Sequence, residues 1–264
     1  MDLKFNSEYC VFVTVLTKYN NQFLFDNNQK PIQGVLRYKE RIEDCAKRLV
    51  KETLNQSIEN LEFIGLGESF GFECSHGHNF ILIADVEGFS ENTSFSVVQE
   101  ANYPEMWLPL INAEDFDFYE YRTEEPSSLE SKDLSYAIAT GHEFTFRVSA
   151  VIRSDQGILF DDAHNLIGGR QRLNETIYQA LEREVKEESG YDIDDSYFIG
   201  IAEDIVELPK YNKIVHYLNL VFEVSGDFSE NIKSSGQGFV WKSEDDIEDL
   251  DMGMVEVKHI IESM

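Results

Sequence analysis

Basic residues are scarce in this chain. Its 264 residues include 22 Lys and Arg against 50 Asp and Glu, for a formal net charge of -28. Such a surface repels phosphate backbones and anionic membranes, so neither a nucleic-acid polymer nor a membrane is an expected partner. It does suit a protein that recruits divalent cations. Cysteine is also rare: Cys10, Cys45 and Cys74 are an odd, sparse set. They supply no disulfide framework and fit a reducing compartment. Long apolar runs are missing, since FILIADV and YCVFVTVL have strand length and fall far short of a membrane span. MDLKFNSEY has no basic segment leading into an apolar one, so no signal peptide is expected and the cytoplasm is the default. What is present is 42% hydrophobic and 12% aromatic residues, enough to fold one large domain or two modest ones.

The chain is written twice. A shift of 135 residues aligns the halves without a gap from about Glu8 to Glu68, with about a third of the pairs identical. LFDN (24–27) falls on LFDD (159–162), VKE (50–52) on VKE (185–187), and FIG (63–65) on FIG (198–200). Beyond a loop difference of roughly three residues, NFILIADVEGFSEN (79–92) resembles YLNLVFEVSGDFSEN (217–231). A period of this size means two similar domains, not a solenoid. Each half reads as a strand, a turn and short strand, a Gly-containing loop and a helix (39–54; 174–189). Further strands and a C-terminal helix (about 130–139; about 254–263) follow. This pattern predicts an α/β (α+β) architecture with a mixed sheet between helices in each domain. The boundary is expected near residue 140, giving domains 1–140 and 141–264. RTEEPSSLESKD (122–133) is the most linker-like stretch.

One helix breaks its own pattern. Between 174 and 189, Ile177, Ala180, Leu181 and Val185 recur at helical spacing, yet Glu184 and Glu188 fall inside that stripe and Glu187 beside it. Burying ionised carboxylates without a partner is costly, and crowding raises their pKa values. A solvated acidic face is the ordinary reading of a Glu-rich helix end. A hard divalent cation such as Mg²⁺ or Mn²⁺ is the other, since Glu at i, i+3 and i+4 brings oxygen ligands together. The first copy favours the cation. There Leu49 and Thr53 stand where Glu184 and Glu188 stand in the second copy, and Ile42, Cys45, Ala46 and Leu49 continue as core. A surface charge face would not exchange with a core leucine.

From Gly169 the spacing is Gly, five residues, Glu175, seven residues, Arg183-Glu184-Val185, one residue, Glu187-Glu188, one residue, Gly190. This resembles the Nudix box, with Tyr191 in place of the final aliphatic residue and Ile167 where a Pro often stands. The resemblance implies two tandem Nudix-like α/β/α sandwiches, the first degenerate and without a metal site, the second catalytic. It implies Glu184, Glu187 and Glu188 as ligands to Mg²⁺ or Mn²⁺, the Gly168 carbonyl as another, and Glu175 and Arg183 as a pair that positions them. Gly34, Glu40, Arg48 and Glu52 keep that scaffold in the first copy. The implied activity is a metal-dependent pyrophosphohydrolase cleaving a nucleoside diphosphate linked to another group, such as a nucleotide sugar, ADP-ribose or a nucleoside triphosphate. The alternative is a nucleotide-binding sensor or interaction protein on the same scaffold without turnover. The first copy would complete the pocket or mimic a dimer partner, so either a homodimer or a monomer with an internal pseudo-dimer is expected.

Other residues stay open. Candidates for the general base are Glu187 and the downstream acids Glu203, Glu207 and Glu244; Glu203 has a counterpart in Glu68, which favours a structural role. Pro209 and Tyr211 lie near the positions of substrate-class marks in the resembling family, and His216 reads mainly as a packing residue. Cys74, His76 and His78 in CSHGH form a possible transition-metal set, but a polar hairpin loop is the plainer expectation. Trp107 and Trp241 are expected in packing more than in base stacking.

Overall fold

The structure is a computed structural model and describes residues 9–37, 39–70, 76–90, 94–112, 117–121, 142–172, 175–228, 238–247 and 255–262. The chain divides into two compact units, Met1–Glu143 and Phe144–Met264. The expected linker (122–133), the expected helix at about 130–139 and Cys74 lie outside the described residues.

The N-terminal unit is built on a mixed sheet of seven strands. These are β1 (Tyr9–Tyr19), β2 (Gln22–Asp26), β3 (Ile32–Val35), β4 (Ile58–Phe70), β5 (His76–Val86), β6 (Phe95–Val97) and β7 (Asp117–Tyr121). The order is β6-β2-β1-β5-β4-β7, with β3 paired to β1. β1 runs parallel to β5, and β4 to β7, while the other pairs are antiparallel. Val11, Val13 and Val15 are fully buried on one face of β1, and Thr14 and Leu16 on the other. A strand covered on both sides is what a sheet between helical layers requires. Helix α1 (Ile42–Leu54) buries Ile42, Cys45, Ala46, Leu49, Val50 and Leu54, the three-and-four spacing of one apolar face. The Cys45 thiol is buried there, which pushes its pKa up and makes it a packing group. On a second face Leu16, Phe23, Phe25, Ile81, Trp107 and Leu110 cluster, so Trp107 is a core residue.

The C-terminal unit repeats the plan. Its strands are β8 (His142–Ser154), β9 (Gly157–Asp161), β10 (Ile167–Arg170), β11 (Asp195–Leu208), β12 (Lys213–Ser225) and β13 (Phe239–Lys242). Their order is β11-β12-β8-β9-β13, with β10 paired to β8. Helix α3 (Ile177–Ser189) follows the short α2 (Leu108–Ile111) of the first unit, and α4 (Glu244–Ile247) and α5 (Val255–Glu262) close the chain. On one face Val151, Phe160, Ala202, Val221, Ile247, Val257 and Ile261 form the core.

Helix α3 starts at Ile177, three residues after the apolar pattern suggests, because Thr176 is its cap. Gln179 N–H donates to Thr176 Oγ1 at 3.1 Å, and Thr176 N–H to Gln179 Oε1 at 3.0 Å. The helix ends at Gly190, φ 83°, and α1 ends at Asn55, φ 56°, in the same left-handed conformation. The copies diverge in the hairpin that follows. Glu68 pairs with His78, but its counterpart Glu203 pairs with Leu218. The span is fifteen residues in the second unit and ten in the first, a larger difference than the sequence alignment suggests. Hairpin lengths vary freely where only loop closure is at stake.

Candidate active site

The scaffold of the site is an arginine. Arg183 Nη2 donates to Glu175 Oε2 at 2.8 Å and to the Arg170 carbonyl at 2.9 Å, and its Nε bonds Glu175 Oε1 at 2.5 Å. Its Nη1 reaches Glu184 Oε1 at 2.6 Å and Glu187 Oε2 at 3.3 Å. One guanidinium thus ties the loop before α3, strand β10 and two helix carboxylates into one piece. Burial alone would push the Glu175 carboxyl up, but bonds from Arg183 and from the Arg172 N–H outweigh it and hold the group below the usual carboxylate range.

The first unit reproduces this, atom for atom. Arg48 Nε and Nη2 donate to Glu40 at 2.6 and 2.8 Å, and Nη2 to the Val35 carbonyl at 3.0 Å. Arg37 N–H donates to Glu40 Oε2 at 2.8 Å, as Arg172 N–H does to Glu175 Oε2. Arg48 Nη1 meets Glu52 Oε2 at 3.3 Å, the contact Arg183 makes with Glu187. The units differ at the two positions singled out in the sequence. A Cβ on Gly169 would sit 2.3 Å from the Glu184 carboxylate, and a Cβ on Gly34 would sit 2.3 Å from a Leu49 methyl. Carboxylate and leucine therefore occupy equivalent seats above equivalent glycines.

Glu188 sits one residue along β10, where its Oε2 accepts from the Gly168 N–H at 3.2 Å. Burial pushes its carboxyl up, and Glu184 and Asp161 add to this, against the Gly168 N–H and Arg147. Glu184 and Glu188 thus flank Gly168–Gly169. Glu187 is turned outward, where Arg172 Nη2 donates to both of its oxygens at 3.2 Å. Among the described residues, the three glutamates do not form a group with donor atoms within 4.8 Å of one another. Arg172 holds Glu187 from outside, and Arg183 bonds both Glu184 and Glu187. The donor set still suits a hard divalent cation: oxygen ligands only, half-buried, with a raised pKa at Glu188 that an ion would reverse.

Beside Glu188 opens a cleft of about 490 Å³, whose charged lining is Arg147, Asp161, Glu188 and Asp204. Arg147 and Ser149 come from β8, Asp204 and Val206 from β11, and Tyr217 and Asn219 from β12. Ser149 Oγ donates to Asn219 Oδ1 at 3.0 Å, as Thr14 Oγ1 does to Asn79 Oδ1 at 2.9 Å in the first unit. Asp161 mainly shapes its loop, accepting from the N–H groups of Ala163 and Asn165 at 2.8 and 2.7 Å. Of the downstream acids, Glu203 is buried against His216, with Nε2 to Oε1 at 2.6 Å, and His216 is fully buried. Alternation along β11 puts Glu203 on the face opposite Asp204 and the cleft. Glu207 does not line the cleft, and the Glu244 side chain lies outside the described residues. Pro209–Tyr211 forms a turn between β11 and β12, with Tyr211 exposed, and Trp241 pairs with Leu159 across β13 and β9.

Sequence reasoning missed Arg147 and Asp204. Arg147 belongs to the alternation of Thr145, Arg147 and Ser149 with Phe144, Phe146 and Val148, which marks a polar strand face but not what that face lines, and Asp204 stands beside Glu203 with no pattern of its own.

Gly168 is required by its backbone. Its φ is 150°, and a Cβ there would lie 2.1 Å from the Val148 carbonyl oxygen. G168A is expected to destabilise the C-terminal unit by about 1–3 kcal/mol from backbone strain alone, checked by urea denaturation.

No family model matches the chain, and no curated protein does. Among solved structures, the chain is similar to a Nudix hydrolase family member from Chromobacterium violaceum, at 22% identity over 46% of this chain and 75% of that one, TM-score 0.35. A MutT protein from Methanosarcina mazei Go1 is similar at 21% identity over 46% and 91%, TM-score 0.37. A Nudix hydrolase from Nitrosomonas europaea is similar at 20% identity over 45% and 88%, TM-score 0.33.

Proposed function

We propose that the C-terminal unit is a divalent-metal-dependent pyrophosphohydrolase acting on a nucleoside diphosphate linked to another group. The observation that carries this reading is the pair Glu184 and Glu188 seated on Gly168–Gly169, Glu184 held by Arg183 and Glu188 by the Gly168 N–H, with Glu188 lining a polar cleft. Among the described residues lining the cleft, Arg147 is the one cation, beside Asp161, Glu188 and Asp204. A pyrophosphate entering it meets net negative charge, so binding depends on a cation between the acids and the substrate.

Glu184, Glu187 and Glu188, with the Gly168 carbonyl, would hold that ion. Bound Mg²⁺ or Mn²⁺ supplies charge neutralisation and a water of lowered pKa. Arg183 and Glu175 position Glu184, and Arg147 on β8 would orient a phosphate oxygen in the cleft. Two carboxylates are placed to take the proton of the attacking water: Glu187 at the exposed end of α3 and Asp204 on β11. The first unit keeps the positioning pair Arg48–Glu40 but has Leu49 and Thr53 in place of the ligands, so it contributes no turnover.

A panel of ADP-ribose, nucleotide sugars, dinucleotides and nucleoside triphosphates, with Mg²⁺ or Mn²⁺, tests the reading. Turnover of at least one class is expected, reduced about 100-fold or more in whichever of E187Q and D204N removes the base. Tight binding by calorimetry with no product would identify a nucleotide sensor instead.

A further inference from the structure

We propose that the N-terminal unit carries a second, chemically different metal site: a borderline divalent ion of the zinc type, held by Glu68, His76 and His78. His76 and His78 do not lie in a polar hairpin loop. They stand on β5 and are fully buried, and Glu68 on β4 is 4% exposed. Glu68 lies directly across from His78 in the antiparallel register, and His76 is two residues along the same face. Their ligand atoms all fall within 4.8 Å of one another.

The spacing, at the long end of a hydrogen bond, is also that of adjacent ligands on one ion. Glu68 Oε1 lies 3.2 Å from His76 Nε2 and 3.5 Å from His78 Nε2. The edge of a tetrahedron with metal–ligand bonds of about 2.0–2.1 Å is about 3.3 Å, so both separations fit adjacent ligands of one ion. The two rings stack with centroids 4.4 Å apart and planes 26° apart, which turns both Nε2 atoms toward the same carboxylate oxygen. A divalent ion held by all three would neutralise the buried Glu68 carboxylate.

The second unit is an internal control. It keeps Glu203 and His216 at the positions of Glu68 and His76, but Leu218 replaces His78. With two donors the pair closes to 2.6 Å, a direct hydrogen bond with no room for an ion between the atoms. With three, the separations open to 3.2 and 3.5 Å. Two imidazoles and one carboxylate are the donor set of a zinc-type ion, unlike the all-oxygen set at Glu184 and Glu188. The site joins β4 to β5 on the face opposite Thr14 and Asn79, so its role is to clamp the sheet.

The experiment uses the full chain, stripped with chelator, given Zn²⁺ and desalted before metal counting. H78L restores the residue that the second unit carries, and E68Q is the companion should H78L not fold. Wild type is expected to retain about one zinc more per chain than either variant. At free Zn²⁺ about 100-fold above its dissociation constant, the N-terminal unit should melt about 5–10 °C higher, and the variants should not shift. Equal zinc retention by wild type and a folded variant, or none by wild type, overturns the proposal. Because H78L leaves the C-terminal glutamates untouched, the outcome is independent of whether that unit hydrolyses anything.

Discussion

Glu188→Gln is expected to lower metal-dependent turnover by at least about 100-fold while making the metal-free protein more resistant to heat. The first effect follows from losing an anionic oxygen ligand beside Gly168. The second follows from the sign of the pKa shift. Burial first, then Glu184 and Asp161, raise the Glu188 carboxyl above its ordinary value. A raised carboxyl stabilises the fold only while protonated. Its contribution is present below the unfolded value of about 4.3 and is lost as pH rises through the folded value. The charged form is therefore the less stable one in the fold, and glutamine copies the protonated form. The check is a kinetic assay with Mg²⁺ beside thermal melts in chelator. A variant that loses activity and melts lower would remove this account of Glu188 as a ligand whose charged form is the less stable one.

Arg183→Met should cost the C-terminal unit about 3–5 kcal/mol, with near-complete loss of turnover. Both side chains of the Arg183–Glu175 pair are largely buried, at 14% and 13% exposure, so removing the cation strands a carboxylate. Arg48→Met should cost the N-terminal unit a comparable amount, because Arg48–Glu40 is equally buried, at 16% and 12%. Turnover should survive that second change. The chain has one tryptophan in each unit, Trp107 and Trp241, so W107F and W241F backgrounds let fluorescence follow the units one at a time. Glu175, whose pKa is lowered, adds the opposite pH signature to that of Glu188. Its stabilisation is present above the ordinary carboxylate value and is lost as pH falls through the folded one. Acid should therefore weaken the wild type more than Arg183→Met.

Much of this was legible from the sequence because it is local. The α3 stripe, its interruption by Glu184 and Glu188, and the spacing of Glu175 from Arg183 all lie within sixteen consecutive residues, 173–188. The duplication extended that reading, since Leu49 and Thr53 showed the same helix without carboxylates. What escaped notice was contributed by distant strands. The cleft gathers Arg147, Asp204 and Asn219 through pairings that only the fold establishes. The outward turn of Glu187 depends on Arg172, fifteen residues earlier, reaching back across the loop. The histidines were misjudged for a related reason. CSHGH has the composition of a loop, but the shorter hairpin of the first unit carries β5 back to His76.

The seats above Gly34 and Gly169 have a consequence for how such a protein can change. The same backbone socket accepts a leucine packed as hydrocarbon or a glutamate held by its neighbouring arginine. Both occupants share the glycine that leaves the space and the arginine, Arg48 or Arg183, that fixes the walls, but the strand differs one residue earlier, where Gly168 has φ 150° and Gln33 does not take a positive φ. On the proposed reading, a copy can lose its metal ligands at these seats and remain within a few substitutions of regaining them. In this chain those substitutions are Gln33→Gly, Leu49→Glu and Thr53→Glu.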